Sequence, residues 1–424
     1  MLKLNSKWLA LLAGAILAAG TACAQDSGPL VDLLVKKGIV TDQEAEELRA
    51  DLLKDFAATS AGKLNLNSSL VQLTVSGRLQ VQFADLGAEI NGSTTPIPAT
   101  QHFLLRRAYL GVKAEFPAGW SSFVNYDFAN ASFDAAMITW KQSDLLAVDI
   151  GFRKAPIGLE EWDTSSGNLK AIERSPATRY WVESNNGRRL GAGSYRTGVF
   201  VGGTDTSGFF YNVAVTNPER DEFSSLNGNT ADPGVQGAGT SANNAFAWWG
   251  NGGYKGKFTD GSYKLGASYG YLPDQGGITL GKGHDLQVYS VYGVVTAGNF
   301  DLEGEYFSAK DRRGIADKTD AKPTGYWIQP SFKLTPQIEA VVRYSYVDSD
   351  GRGVNISDGT RSAPSGGTMD KMDEWYVGGN YYIRGNDVKF QFGYIHAESK
   401  DSVLGVAGPK ATADGVRSQM QVNF

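Results

Sequence analysis

The chain holds one cysteine, Cys23, and three histidines, His102, His284 and His396, each isolated along the sequence. A single cysteine cannot build a disulfide scaffold, and scattered histidines offer little to acid–base or metal chemistry. Prolines number only 14, against 52 glycines and 19 tyrosines, a balance that suits a long antiparallel β protein. Beyond the N-terminal two dozen residues no apolar run is long enough for a membrane-spanning helix. A barrel escapes that test, because each of its strands is apolar only at every second position. No G-x-x-x-x-G-K-[ST] sequence occurs. Asp348-Ser349-Asp350-Gly351 echoes the opening of a calcium loop, but no carboxylate at the twelfth position completes it, so a polar outer loop explains it better.

What is present begins at the N-terminus. Lys3 and Lys7 form a positive region, Trp8 to Ala19 is an uncharged apolar run, and Ala22-Cys23-Ala24 is an A-x-A site. These predict a secretory signal over residues 1–24, cleaved after Ala24, with lipidation at Cys23 as the rival reading. Cleavage removes the only cysteine. It also takes the formal charge from −5 to −7 by loss of Lys3 and Lys7, an acidic balance that argues against nucleic-acid binding. Residues 25–62 follow as a helical segment. Leu30, Leu33, Leu34 and Ile39 make one stripe, and Thr41 with Glu44 forms a capping box for a second helix carrying Leu48, Leu52 and Phe56. Both a plain helical hairpin and a periplasmic oligomerisation element fit that pattern.

From Leu70 the pattern changes to strands. In the last ten residues Val416, Met420, Val422 and Phe424 share one parity, and Arg417, Gln419, Gln421 and Asn423 share the other. A strand of that kind, ending on an aromatic, is what closes an outer-membrane β-barrel. Sixteen strands are predicted, at 70–83, 103–116, 120–128, 135–141, 146–154, 194–203, 208–217, 245–258, 262–273, 284–297, 299–310, 324–335, 338–349, 373–384, 387–399 and 415–424. Their connections alternate long and short throughout, from a long loop at 84–102 and a tight turn at Pro117-Ala118-Gly119 onward. Residues 63–424 are therefore read as all-β, a 16-stranded antiparallel transmembrane barrel with long outer loops and both termini in the periplasm. At that size a barrel has room for an aqueous channel.

Parity then assigns faces. In the first strand Gln72, Thr74, Ser76, Arg78, Gln80 and Gln82 point inward, while Val71, Leu73, Val75, Leu79, Val81 and Phe83 meet lipid. In the second, Leu105, Arg107, Tyr109, Gly111, Lys113 and Glu115 point inward, and Leu104, Ala108, Leu110, Val112, Ala114 and Phe116 outward. Arg106 falls on the outward parity, which is costly except near a rim or a subunit contact. The same counting places Arg153, Lys264, Arg343, Lys389 and Arg417 in the lumen with Asp149, Asp301, Glu303, Glu305 and Glu339. The loop 155–193 is by far the longest and carries Lys170, Arg174, Arg179, Arg188 and Arg189 among Glu160, Glu161, Asp163, Glu173 and Glu183. A loop of that length inside a barrel can set its narrowest point.

Several segments carry a resemblance. Ser76-Gly77-Arg78-Leu79-Gln80, Arg106-Arg107-Ala108-Tyr109-Leu110-Gly111-Val112-Lys113, and Ile150-Gly151-Phe152-Arg153-Lys154 running on to Glu160 resemble the phosphate-selective porin O/P family. So do Gly378-Gly379-Asn380-Tyr381-Tyr382-Ile383, Val388-Lys389-Phe390-Gln391 and the ending Arg417-Ser418-Gln419-Met420-Gln421, in order from about residue 70. The stretch from Leu33 into Thr41 is similar to the leader of many members. The resemblance implies a trimeric sixteen-stranded porin whose third loop folds inward, with an anion path lined by arginine and lysine. Arg78, Arg106 and Arg107 match basic positions of the family motifs, and Lys170 and Arg174 are its candidates in the third loop.

The resulting expectation is an outer-membrane porin of a Gram-negative bacterium, without enzymatic activity, cofactor or metal. It passes small anions by diffusion, with phosphate or pyrophosphate as candidate solutes, and has outer-membrane lipids and two further copies of itself as partners. Two alternatives stand beside it. One is a structural or adhesive barrel anchored through its helices. The other is an outer-membrane hydrolase drawing on His102, His284 or His396.

Overall fold

The computed structural model describes Lys36, the backbone of residues 64–67, and residues 71–90, 97–184, 186–193, 195–217, 246–273, 285–312, 320–402 and 410–424. The signal, the helical segment apart from Lys36, His284 and the loop 218–244 of the sequence reading lie outside the described residues.

Among the described residues seventeen strands follow one another. They are β1 (Leu64–Asn67), β2 (Gln72–Ile90), β3 (Ile97–Glu115), β4 (Trp120–Asp127), β5 (Ser132–Lys141), β6 (Ala147–Lys154), β7 (Tyr195–Thr204), β8 (Phe209–Thr216) and β9 (Ala247–Phe258). The second half is β10 (Gly261–Leu272), β11 (Leu286–Ala297), β12 (Phe300–Asp311), β13 (Thr324–Lys333), β14 (Ile338–Asp348), β15 (Met369–Arg384), β16 (Val388–Ser402) and β17 (Lys410–Asn423). Each strand from β2 to β17 pairs antiparallel with the next, and β17 returns to β2 in a register running from Asn423↔Arg78 to Ala411↔Ile90. Sixteen strands thus close a ring in which no edge is left open. β1 pairs with Gln72–Val75, the part of β2 that lies beyond the end of β17.

The alternation expected from the sequence is what folds the wall. On β17, Arg417, Gln419 and Gln421 are buried inside while Met420, and Phe424 just past the strand, are exposed outside. Outward apolar side chains such as Leu79, Val124, Ile138, Val213, Leu265, Val291 and Val377 make the lipid-facing surface. Aromatic rings gather near its two rims. Trp120 and Trp140 are 6.2 Å apart beside the turns. Toward the loop ends, Tyr326 lies by Tyr344 and Tyr346, and Tyr344 is 4.8 Å from Trp375.

Two expectations need correction. The loop placed at 84–102 is largely strand, because β2 runs on to Ile90 and β3 begins at Ile97. The alternation was lost there because the inward residues turn apolar. Ala84, Leu86 and Ala88 face an internal core instead of water. The second correction concerns β3. Gln80 pairs with Arg107 but the next residue, Val81, pairs with Leu105, so Arg106 is an extra residue at a β-bulge. The bulge reverses parity before it. Phe103 and Leu105 are 79% and 50% exposed on the outer surface, where Leu104 was expected, and Arg106 turns inward rather than outward. A guanidinium in the lipid is thereby avoided.

Candidate functional site

The barrel interior is filled on one side by the loop 155–193. After β6 the chain enters a π-type turn, Gly158–Asp163. Gly158 adopts φ +84°, and a Cβ there would also stand 3.2 Å from Glu305 Oε1. Glu305 on β12 accepts the Leu159 N–H at 3.0 and 3.1 Å, and Gly158 N–H reaches Ser268 Oγ of β10. A short helix, α1 (Pro176–Val182), follows. Ser175 caps it by accepting from the Thr178 N–H, with Pro176 in the first turn. Its apolar face is fully buried. Trp181 stacks on Phe307 at 5.4 Å, within a core that also holds Tyr180, Ile172, Leu159, Trp327 and Tyr376.

Side chains of the wall catch this loop by its backbone. Lys389 donates to Leu169 O (2.9 Å), Gln391 to Leu169 O and Lys170 O, Gln421 to Gly167 O, and Arg343 to Glu173 O (2.7 Å). Arg78 donates to Ser166 Oγ (2.6 Å), Ser165 Oγ and Asn423. A ladder of amides, Gln80 to Gln421, Gln82 to Gln419 and Gln419 to Gln391, fills the seam beneath. Buried polar atoms are costly unless satisfied, so this surface is specified as a seat for the loop.

A second loop, 349–368, also lies inside. It contains α2 (Ile356–Gly359), begun by the Asn355 N–H donating to Asp358 Oδ2 (2.8 Å). Arg188 pairs with Asp358 (2.6 Å), Arg179 donates to Gly359 O (2.7 Å), and Arg352 donates to Arg188 O (2.6 Å). Arg361 reaches Glu173 Oε2 at 3.2 Å and Glu183 Oε1 at 2.5 Å. Asp350, in the segment that echoed a calcium loop, donates its N–H to Asp348 Oδ1 in a tight turn.

Between the loops and the wall of β3 to β7 lies a cavity of about 330 Å³. Six cations line it: Arg106, Arg107, Lys154, Arg174, Arg189 and Arg361. Four carboxylates, Asp127, Asp134, Glu161 and Glu183, and the rings of Tyr109, Phe133 and Tyr195 complete most of its wall. The bulge in β3 is what sets Arg106 and Arg107 side by side here. Arg106 is bound to Glu173 (2.5 and 3.1 Å), whereas Arg107 donates to the neutral Gln80 Oε1 (2.7 Å). Among the described residues Arg107 has no carboxylate ion-pair partner. Two of the acids serve the backbone and side chains around them. Asp127 accepts the N–H groups of Ala108 and Ala129, and Asp134 accepts from Asn125 and Tyr195.

The loop carboxylates are strongly held as anions. Burial alone would push the Glu173 carboxyl up, but the charges of Arg106, Arg361 and Arg107 overcome it and hold it well below the usual range. Glu183 is likewise lowered against its burial by Arg179 and Arg361. Burial disfavours the Lys170 ammonium, yet its pairs with Glu303 (2.8 Å) and Asp301 (3.1 Å) raise its pKa.

The cations expected from the sequence therefore divide into groups. Arg106, Arg107, Arg174 and Arg189 come together at the cavity. Arg78, Arg343, Lys389 and Arg417 face inward but hold loops, Arg417 through the carbonyl of Arg361. Arg153 pairs with Asp149 and lies 4.5 Å over Trp162. Lys264 pairs with Asp163, and Lys170 with Asp301 and Glu303. Arg179 and Arg188 bind the second loop. Lys113 pairs with Glu115 (2.5 Å) near the turn end of β3. Sequence reasoning missed Lys154 and Arg361. The first was visible as the neighbour of Arg153 at the end of β6; the second lay in a loop without charge pattern. His396, on the outer surface, contacts Asp414 Oδ1 at 2.7 Å, an oxygen that Tyr394 OH also approaches at 2.7 Å.

Comparison with solved structures agrees with this architecture. The anion-selective porin from Comamonas acidovorans superposes with a TM-score of 0.55 at 12% identity, over 82% of this chain and 99% of that one. The outer-membrane channel DcaP of Acinetobacter baumannii gives 0.54 at 10% identity, over 84% and 99%. A loop L8 deletion mutant of OmpT, an outer-membrane protein of Vibrio cholerae, gives 0.53 at 11%, over 83% and 100%. No curated protein sequence matches. The sequence model described as phosphate-selective porin O and P matches residues 73–424, which is the whole ring from β2 to β17, and the chain belongs to that porin family.

Proposed function

We propose that this outer-membrane porin is an anion-preferring diffusion channel whose selective point is the cavity between the loop 155–193 and the β3–β7 wall. The observation that carries this is Arg107. It stands beside Arg106 at a constriction where six cations meet four carboxylates, and it is bonded to an amide rather than to an acid. A cation excess in a narrow passage attracts anions and repels cations. A solved structure of the same fold is that of an anion-selective porin. Solutes cross down their gradient by exchanging contacts between these side chains, and no energy is coupled to the step. Arg78, Arg153, Lys264, Arg343, Lys389 and Arg417 support the passage by shaping the lumen and the loop. Inorganic phosphate is the solute the family points to. The same reading has residues 1–24 removed on export, 25–62 as a periplasmic segment, and three copies in the working assembly.

The test is the reversal potential of single channels in planar bilayers under a salt gradient. Wild type should show anion preference, and Arg107→Ala should lower the anion-to-cation permeability ratio by about threefold, the scale of one unit charge near the ion path in a water-like dielectric. Added phosphate should reduce the chloride current if it dwells at the constriction. A cation-preferring wild type would overturn the reading.

A further inference from the structure

The constriction is built from two loops. The loop 155–193 supplies Glu161, Arg174, Glu183 and Arg189 to the cavity, and Glu173 lies behind them on Arg106. The loop 349–368 supplies one residue, Arg361, and that residue bridges Glu173 and Glu183. Its place is fixed independently of the bridge. Arg188 to Asp358, Arg179 to Gly359 O and Arg417 to Arg361 O hold the second loop just before the residue and at its own carbonyl. The Arg361 side chain keeps 29% of its surface accessible, so one edge of the guanidinium covers the two carboxylates while another meets the passage.

We infer that Arg361 is a selectivity-determining residue, delivered by a second inward loop to cancel the charge of Glu173 and Glu183 where the first loop borders the ion path. A guanidinium suits this role, since its fork can meet both acids at once. Without it Glu183, which lines the cavity, keeps Arg179 and Arg189 as its ion-pair partners among the described residues, and the excess of lining cations falls by one. The inference deepens the anion-channel reading and rests on it for the sign of the preference, though the effect of Arg361 can be measured by itself.

Reversal potentials of Arg361→Ala, Arg361→Lys and the double variant Arg361→Ala/Glu183→Gln test it, each compared with wild type. Arg361→Ala should lower the anion-to-cation permeability ratio about twofold to threefold, as removal of one nearby unit charge does. Arg361→Lys should stay near wild type. The double variant should recover most of the loss, because removing one lining acid restores the wild-type excess of lining cations. An unchanged ratio in Arg361→Ala overturns the inference, as does a double variant as poor as the single, which would mean that Arg361 only shapes the loop. A wild type without anion preference defeats the preceding proposal instead, and the shift caused by Arg361→Ala still decides this one.

Discussion

At the scale of single residues, one extra residue in β3 decides what the lumen presents. Counting by twos identified Arg107 as an inward residue but put Arg106 in the lipid, because a bulge leaves no mark on strict alternation. The cost of a buried-in-lipid guanidinium was the one available signal, and it argued for a rim position rather than for a bulge. Pairing fixes the protonation of Glu173 as well. Its carboxyl titrates below the ordinary value, so its ion pairs add stability above about pH 4.3, the unperturbed glutamate value, and that contribution is lost as pH falls through the depressed pKa. Open-channel current noise should therefore stay flat from neutral pH down to about 4 and rise below it as the loop loosens from Arg106 and Arg361. Noise that rises already near pH 6 to 7, roughly the histidine range, would point to another group.

At the scale of elements, the loop 155–193 announced itself by length and charge, but its seat did not. The partners that hold it are carbonyls of Leu169, Lys170, Gly167 and Glu173, and a backbone oxygen carries no sequence signature. The side chains that reach them lie more than 150 residues further on in β14, β16 and β17, where they read only as polar inward positions. Gly158 is the hinge of the arrangement. An alanine there must hold a left-handed φ, at a cost of about 1–2 kcal/mol, and press its Cβ toward Glu305. Gly158→Ala should give channels with higher and noisier conductance while the barrel still forms, read from single-channel records beside a heat-modifiability gel. Wild-type conductance would show that the π-type turn absorbs the methyl group. The strand ends at residues 84–90 were missed for a related reason, since an inner face that packs on a core no longer alternates with the outer one.

At the scale of the molecule, the number of strands, their antiparallel order and the closing role of the last one were all legible, because lipid outside and polar groups inside impose period two on every strand. The strand β1 was not, since the alternation of Leu64–Asn67 runs for only four residues. The seam between β17 and β2 has no slack at Gly415. A Cβ there would stand 1.9 Å from Asp85 O and 2.8 Å from Leu86 Cα, both backbone atoms. Gly415→Val should reduce the yield of the compact, heat-modifiable form and leave exposed strand edges that aggregate, while a normal yield would mean that the seam can widen locally. The same seam has a kinetic meaning. Its register joins Arg78 to Asn423, so the ring cannot be completed by a chain still emerging from synthesis, and the contact that finishes it is among the most distant in sequence. Contacts of such separation form slowly. Until they form, β2 and β17 each keep an unpaired edge, so the nascent porin depends on being kept apart from its own kind for as long as closure takes.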